Sequence, residues 1–257
     1  MLKGKVVLIT GASSGIGALA ASELARHGAI PVLTGRNLEK LKKHAEAISA
    51  DCLYYKMDVA DRDEIRQVVE QVLNKHGVID ILLNNAGYGE FRCFEEMPVD
   101  DFQAMMDTNY MGIVRCTKEV LPHMLKRGSG HIVNIASMAG KIGSAKSVSY
   151  TATKHAVLGF TNALRMEMAQ QGIKVSAINP GPIDTEFFNI ADPTGNYVKN
   201  VGWLMMKPEY VVKGILRVMD TGKAELDLPR KAGFAIKLYQ LFPRTVDRLF
   251  GKWMNQK

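Results

Sequence analysis

Short apolar runs alternate with longer amphipathic stretches along most of the chain. Residues 6–10, 30–34, 52–57, 79–83, 131–136 and 175–179 are rich in Val, Ile and Leu with little polar alternation, the pattern of strands buried on both faces of a parallel sheet. Between them, residues 17–27, 38–49, 62–75, 101–126 and 149–171 carry apolar positions at helical spacing. A helix over 208–220 and a short strand over 225–228 extend the pattern to about seven strands. Strand–helix alternation of this kind predicts an α/β fold: a doubly wound parallel sheet with helices on both faces, in a single domain.

The rhythm breaks after Pro180. Residues 181–206 are long for a loop and mix Pro182, Pro193 and Gly195 with Phe187, Phe188, Tyr197 and Trp203, so 186–206 reads as a lid over a substrate. Residues 1–228 are then the nucleotide-binding catalytic domain, and 229–257 a basic amphipathic C-terminal extension. Its apolar positions are Phe234, Ile236, Leu238, Leu241 and Phe242, then Val246, Leu249, Phe250 and Trp253 beyond Pro243.

Charge sharpens that division. The chain carries a formal +7, yet from Arg230 onward seven basic residues face one acid, a net of +6 that leaves +1 for everything before it. A nucleic-acid binder would spread its cations over a docking surface, so no nucleic-acid partner is expected. The tail reads as a solvated face over a packed stripe, as a peripheral membrane contact, or as a rim that attracts anionic substrates. Cys52, Cys93 and Cys116 are odd in number and widely spaced, which fits a reducing cytoplasm and offers no metal-binding pair. Neither a secretory leader nor an apolar run long enough to span a bilayer is visible, so a cytoplasmic protein is expected.

Candidate chemistry lies at strand ends. Thr10-Gly11-Ala12-Ser13-Ser14-Gly15-Ile16-Gly17 joins the first strand to its helix, where glycines let a diphosphate approach the unpaired N–H groups of the helix start. The second strand ends in Thr34-Gly35-Arg36-Asn37, with no acid to bind a ribose hydroxyl and with Arg36 available for a 2′-phosphate, which favours NADP(H). Tyr150 and Lys154, four apart on a predicted helix, share a face. A free tyrosine titrates near about 10; a lysine cation beside it, together with an oxidised nicotinamide, favours phenolate and makes an acid–base group for carbonyl chemistry. Ser137 follows the fifth strand, at the carboxyl edge of the sheet where α/β sites open, and its hydroxyl can hold a substrate oxygen beside Tyr150.

Taken in order, Thr10 to Gly17, Asp58-Val59, Asn84-Asn85-Ala86-Gly87, Asn109, Ser137, Tyr150 with Lys154, and Pro180-Gly181 with Thr185 resemble the motifs of the short-chain dehydrogenase/reductase family in its single-domain, Rossmann-type form. The resemblance runs from residue 5 to about 228. It implies that Gly11, Ser13, Ser14, Gly15, Ile16 and Gly17 cradle the cofactor, that Asp58 and Val59 contact the adenine, and that Asn85, Ala86 and Gly87 flank the adenosine ribose. Lys154, with Tyr150, would also bind the nicotinamide ribose, and Pro180, Gly181, Ile183 and Thr185 the carboxamide end. Asn109 would interrupt its helix and hold a water linking Lys154 to solvent, making a catalytic set of Asn109, Ser137, Tyr150 and Lys154 with no metal. The implied activity is NADP(H)-dependent hydride transfer between the nicotinamide and a carbonyl or secondary alcohol.

The substrate is addressed by 88–98, 138–148 and 186–206, which contribute Phe91, Phe94, Met138, Phe187, Phe188, Trp203, Met205 and Met206 and point to an apolar ketone or acyl chain. A 3-oxoacyl-thioester (acyl-carrier-protein) reductase and a non-catalytic NADP-binding sensor are the alternatives. The family commonly assembles as homodimers or homotetramers through the helices at 101–126 and 149–171, and the same is expected here.

Overall fold

The computed structural model of the chain describes residues 2–49, 51–244 and 248. Seven parallel strands, β1 (Val6–Ile9), β2 (Ile30–Gly35), β3 (Leu53–Lys56), β4 (Ile81–Asn84), β5 (Gly130–Ile135), β6 (Ile173–Pro180) and β7 (Glu225–Leu228), form one sheet in the order β3-β2-β1-β4-β5-β6-β7. This is the doubly wound Rossmann arrangement that the alternation predicts.

Alternate strand residues serve opposite faces. Val7, Ile9, Leu33, Leu83 and Ile178 bury against α1 (Gly15–Arg26), α2 (Leu38–Ile48) and α9 (Pro208–Thr221), through Leu24, Leu41, Val211 and Ile215. Val6, Leu8, Val32, Leu82 and Val175 bury on the other side against α3 (Arg62–His76), α5 (Gly112–Arg127) and α6 (Val148–Met168), through Ile65, Val72, Val120 and Leu164. Helix starts follow local chemistry: Asn37 accepts from the Lys40 N–H to begin α2, and Asp61 accepts from Asp63 and Glu64 to begin α3.

Because the strand order reverses between β1 and β4, their carboxyl ends diverge and leave a crevice. A buried polar ladder fixes the neighbouring helix over it. Asn84 Nδ2 donates to Asn134 Oδ1 (2.9 Å), Asn134 Nδ2 to Thr161 Oγ1 (2.9 Å), and Thr161 Oγ1 to the Val157 carbonyl (2.6 Å), tying α6 to β4 and β5.

Two segments differ from what periodicity alone suggests. The helix expected over 101–126 is α4 (Val99–Met106) and α5 separated by a five-residue π-type turn, Asp107–Met111. The segment expected as a lid loop contains α7 (Phe187–Ala191), α8 (Asn196–Val201) and a 3₁₀ turn (Gly202–Leu204), helices too short to leave a periodic signature. The two ends of that segment meet: Met206 N–H donates to the Pro182 carbonyl (2.9 Å) and Asp184 N–H to the Met206 carbonyl (3.0 Å). Beyond β7 the chain forms α10 (Arg230–Leu241), while Val246, Asp247, Leu249, Phe250, Lys252, Trp253 and Lys257 of the expected extension lie outside the described residues.

Candidate active site

At the crevice the glycine-rich turn is held by both strands beside it. Thr10, 2% exposed, accepts through Oγ1 from the N–H groups of Asn85 and Ala86, each at 3.0 Å. Asn85 Nδ2 returns hydrogen bonds to the Thr10 and Gly11 carbonyls, both 3.0 Å. Gly11, at φ +66°, leaves no room for a side chain, since a Cβ would sit 2.7 Å from the Ala86 Cα. A Cβ at Gly17 would run into the Gly11 carbonyl and approach Asn85 Nδ2 to 2.7 Å. Gly17 therefore packs α1 against the turn and does not line the cleft. Ser14, the residue before α1, makes no side-chain cap and no acid occupies the first helical turn, so the helix start presents its N–H groups outward.

The cleft that opens there has a volume of about 640 Å3. Ser13, Ser14, Gly15 and Ile16 line it at one end; Ser137, Tyr150 and Lys154 line it at the other. Asp58, Val59, Asn85, Ala86, Gly87, Pro180, Gly181, Ile183 and Thr185 also line it, as do Gly11 and Arg36. Arg36 also borders an adjoining recess whose other charged residues are Lys56, Arg62, Asp58, Asp61 and Glu64; Lys56 is paired with Glu64 and Arg62 with Glu119. Asp58 turns its carboxylate back on its own loop, accepting from the Ala60 N–H at 2.9 Å.

Ser137 follows β5, is buried, accepts from the Ala139 N–H (3.1 Å) and donates to the Pro180 carbonyl (3.3 Å). It lies beside the Tyr150 phenol on the cleft wall and favours its ionised form. Lys154, one turn along α6, is 5% exposed; its Nζ donates to the Ile135 carbonyl (2.8 Å) and lies 5.6 Å from the Tyr150 ring centroid. Burial pushes the Tyr150 phenol up to about 12, against the opposing influence of Ser137, and pulls Lys154 down to about 8. Lys154 alone thus does not lower the phenol: burial outweighs an ammonium whose hydrogen bond goes to Ile135.

Asn109 sits in the π-type turn, fully buried. Its Oδ1 accepts from the Tyr88 N–H (2.9 Å), and its Nδ2 donates to the Tyr88 carbonyl (2.8 Å) and Thr153 Oγ1 (3.1 Å). Thr153 Oγ1 in turn donates to the Tyr150 carbonyl (2.8 Å), so Asn109 joins the chain after β4 to the turn of α6 that carries Tyr150. Both of its amide protons are taken, and it does not line the cleft.

Over Tyr150 lies an aromatic group. Phe91 packs edge-on to Tyr150 (6.2 Å between centroids) and to Tyr197 (4.8 Å), and Phe187 lies 5.7 Å from Tyr150. Phe91, Met138, Phe187 and Phe188 line the cleft as expected; Phe94 and Trp203 instead point outward, 68% and 71% exposed, and Met206 is buried in the body. Met205 does not line it either. Tyr197, named by sequence among the aromatic residues of this segment but not among those expected to face the substrate, lines the cleft as well. Thr10, noted in the sequence only as part of the turn, is the other omission: its role depends on which strand lies beside it. Lys40 on α2 meets Glu186 at 3.2 Å, linking the expected lid to the opposite bank.

Among the described residues no group of three or more His, Cys, Asp and Glu side chains is placed to hold a metal, and no helix is long and apolar enough to cross a membrane.

The geometry matches known proteins closely. The short chain dehydrogenase family model matches residues 5–194. The 3-oxoacyl-acyl-carrier-protein reductase of Thermotoga maritima is 39% identical over 187 residues, covering 72% of this chain and 76% of its own. A short-chain dehydrogenase from Streptomyces avermitilis superposes with a TM-score of 0.84 at 28% identity, covering 97% of each chain. A serine dehydrogenase solved in its closed form with NADP+ gives 0.80 at 31% identity, over 87% of this chain and 94% of that one. With a parallel sheet in the same order, a cradle at the end of β1 and a serine–tyrosine pair at the end of β5, the chain belongs to the short-chain dehydrogenase family, the NAD(P)-binding oxidoreductases of CH–OH and C=O groups.

Proposed function

We propose that this chain is an NADP(H)-dependent reductase of an apolar ketone or acyl carbonyl, with Tyr150 as proton donor, Ser137 as carbonyl orienter, Lys154 as electrostatic partner and Asn109 as the residue that positions them. The observation that carries this reading is the convergence of Ser137, Tyr150 and Lys154 on one cleft wall, with Lys154 Nζ 5.6 Å from the phenol ring. The cofactor assignment is supported by the side-chain-free surface at Gly11, the uncapped start of α1, and Arg36 on the cleft at the end of β2. The NADP+ held by the related serine dehydrogenase supports it as well.

Gly11, Ser13, Ser14, Gly15 and Ile16 would hold the diphosphate and Arg36 the 2′-phosphate. Asp58, Val59, Asn85, Ala86 and Gly87 would hold the adenosine end; Tyr150, Lys154, Pro180, Gly181, Ile183 and Thr185 would hold the nicotinamide end. Bound there, NADPH supplies the hydride that reduces the carbonyl carbon. The chain's own residues handle the oxygen. Ser137 donates a hydrogen bond to it as negative charge develops, and Tyr150 gives it a proton. Burial keeps the phenol protonated at neutral pH, the form a donor needs. Lys154, pulled down to about 8, remains largely charged there yet exchanges protons readily, which suits resupply of the phenol. The Asn109 amide is occupied by Tyr88 and Thr153, so a water on this relay would be bound by its main chain.

The aromatic group of Phe91, Phe187, Phe188 and Tyr197 supports an apolar substrate. The Thermotoga relative favours a second reading within the same chemistry, reduction of a 3-oxoacyl thioester. Assembly into homodimers or homotetramers through α5 and α6 is part of the proposal, supported by Leu125, Val148 and Met166 exposed on those helices (38%, 46% and 80%).

A screen of NADPH oxidation over ketones, aldehydes and 3-oxoacyl thioesters, run in parallel with Tyr150→Phe, tests the reading. Removing the phenol proton should lower turnover by about 10²–10⁴-fold with NADPH affinity preserved. Unchanged turnover in the variant would refute the assignment.

A further inference from the structure

Four large apolar residues exposed in the described chain follow one another on and just after α10. Gly233 seats this helix on the body, where a Cβ would come within 2.5 Å of the Asp227 side chain, and Gln240 Nε2 donates to the Lys141 carbonyl at 3.1 Å. Lys141 is itself fixed between Glu225 and Asp227, with Nζ 2.6 Å from an oxygen of each. These contacts set which side of α10 faces away from the protein. On that side stand Phe234, Leu238 and Leu241, exposed to 66%, 48% and 68%, at the four- and three-residue intervals of one helical stripe, with Phe242 (64%) continuing it. A contiguous apolar stripe on a firmly seated helix marks a contact surface.

Charge identifies what it contacts. Exposed Lys231 and Lys237 flank the stripe, Arg230 and Arg244 lie at its two ends, and no acidic residue occurs from Arg230 to Arg244. The sequence from Arg230 onward holds +6 of the chain's +7. A second copy docking through this face would bring two such cationic helices together with nothing to neutralise them. An anionic phospholipid surface offers what the face lacks: an apolar layer for the rings and leucines and phosphates for the flanking ammonium and guanidinium groups.

We propose that α10 docks this protein onto anionic membrane surfaces, with Phe234, Leu238, Leu241 and Phe242 entering the headgroup–acyl boundary and Lys231, Lys237 and Arg244 pairing with lipid phosphates. α10 leaves the sheet at its carboxyl end, the end at which the cleft opens. α10 starts where β7 ends, the expected lid starts where β6 ends, and Pro180 and Leu228 are paired at those two ends. Exposed Trp203 and Leu204 of the lid add apolar surface at the same edge of the sheet.

The test is flotation of the full chain with vesicles of phosphatidylcholine alone and of phosphatidylcholine containing phosphatidylglycerol. Binding to the anionic vesicles should be at least about tenfold stronger than to the neutral ones and should fall as salt is raised. Phe234→Ser with Leu241→Ser, and separately Lys231→Glu with Lys237→Glu, should each abolish most of it. All these positions are exposed, so circular dichroism and NADPH binding should match the parent chain. Equal flotation on both vesicle types, or flotation unaltered by either pair, would overturn the proposal. So would sedimentation equilibrium in which the serine pair dissociates an oligomer, since the stripe would then be the seat of a second copy.

Discussion

Replacing Thr10 by valine removes one oxygen and changes almost nothing else in shape. In the parent chain that oxygen accepts from two main-chain N–H groups, Asn85 and Ala86, both at 3.0 Å, in a site where Thr10 is 2% exposed. Neither donor can simply turn to water, because Asn85 is also held by its side-chain bonds to the Thr10 and Gly11 carbonyls. Leaving a buried donor unsatisfied costs about 1–3 kcal/mol. Two adjacent ones sharing any relaxation should cost about 2–4 kcal/mol together. For a domain of this size that corresponds to a melting temperature lower by roughly 5–10 °C. Urea unfolding followed by circular dichroism measures the loss, with Thr10→Ser as control: it keeps the acceptor and gives up a methyl group, for about 1 kcal/mol. The same oxygen places Asn85 to Gly87 along the cleft, so NADPH affinity should fall in the valine variant and hold in the serine variant. A valine variant within about 0.5 kcal/mol of the parent, or a serine variant less stable than it, would mean that the hydroxyl is not the acceptor described.

Two further outcomes follow from single side chains. Arg36→Ala should weaken NADPH far more than NADH, because only the former carries the 2′-phosphate; a proportional loss for both, measured as kcat/KM, would remove Arg36 from cofactor discrimination. His131, 4% exposed, lies 2.8 Å through Nε2 from Ser176 Oγ, which donates to the Lys223 carbonyl, so the ring donates and is held neutral. Burial pulls it from 6.5 down to about 4. Its folded form therefore binds fewer protons than the unfolded chain between those values. Stability present above pH 6.5 should be lost as pH falls towards 4, by about 3 kcal/mol. The stability difference between the parent and His131→Gln should shrink by that amount over this range, and a pH-independent difference would exclude the histidine as its source.

Much of this architecture is legible in the sequence because it is encoded locally. The apolar runs at Val6, Ile30, Ile81 and Ile173 announce buried strands, and the spacing from Tyr150 to Lys154 places both on one face of a helix whatever that helix packs against. The glycines of the first turn are likewise readable, although local sequence does not distinguish the lining Gly15 from Gly17, which is spent on packing against Gly11. What is not legible depends on partners distant in the chain. Asn109 finds Tyr88 and Thr153, Thr10 finds Asn85, and Lys141 finds Glu225 and Asp227 only after the sheet order is set. The same cause misassigned the apolar residues after Pro180: Trp203 and Met206 are three apart, yet one faces solvent and the other closes the core, since the neck at Pro182 fixes only the second.

That neck has a consequence for how the protein can change. Ile183 and Met206 are bridged in parallel, so the intervening excursion leaves and rejoins the body at one point. The entropy of closing such an excursion grows only with the logarithm of its length, about 0.6 kcal/mol for each doubling. Insertions, deletions or wholesale grafts between 185 and 205 therefore leave β6 and α9 in register. The fold thereby isolates this excursion from the parallel sheet, so that changes within it need not disturb the strands that carry the cleft.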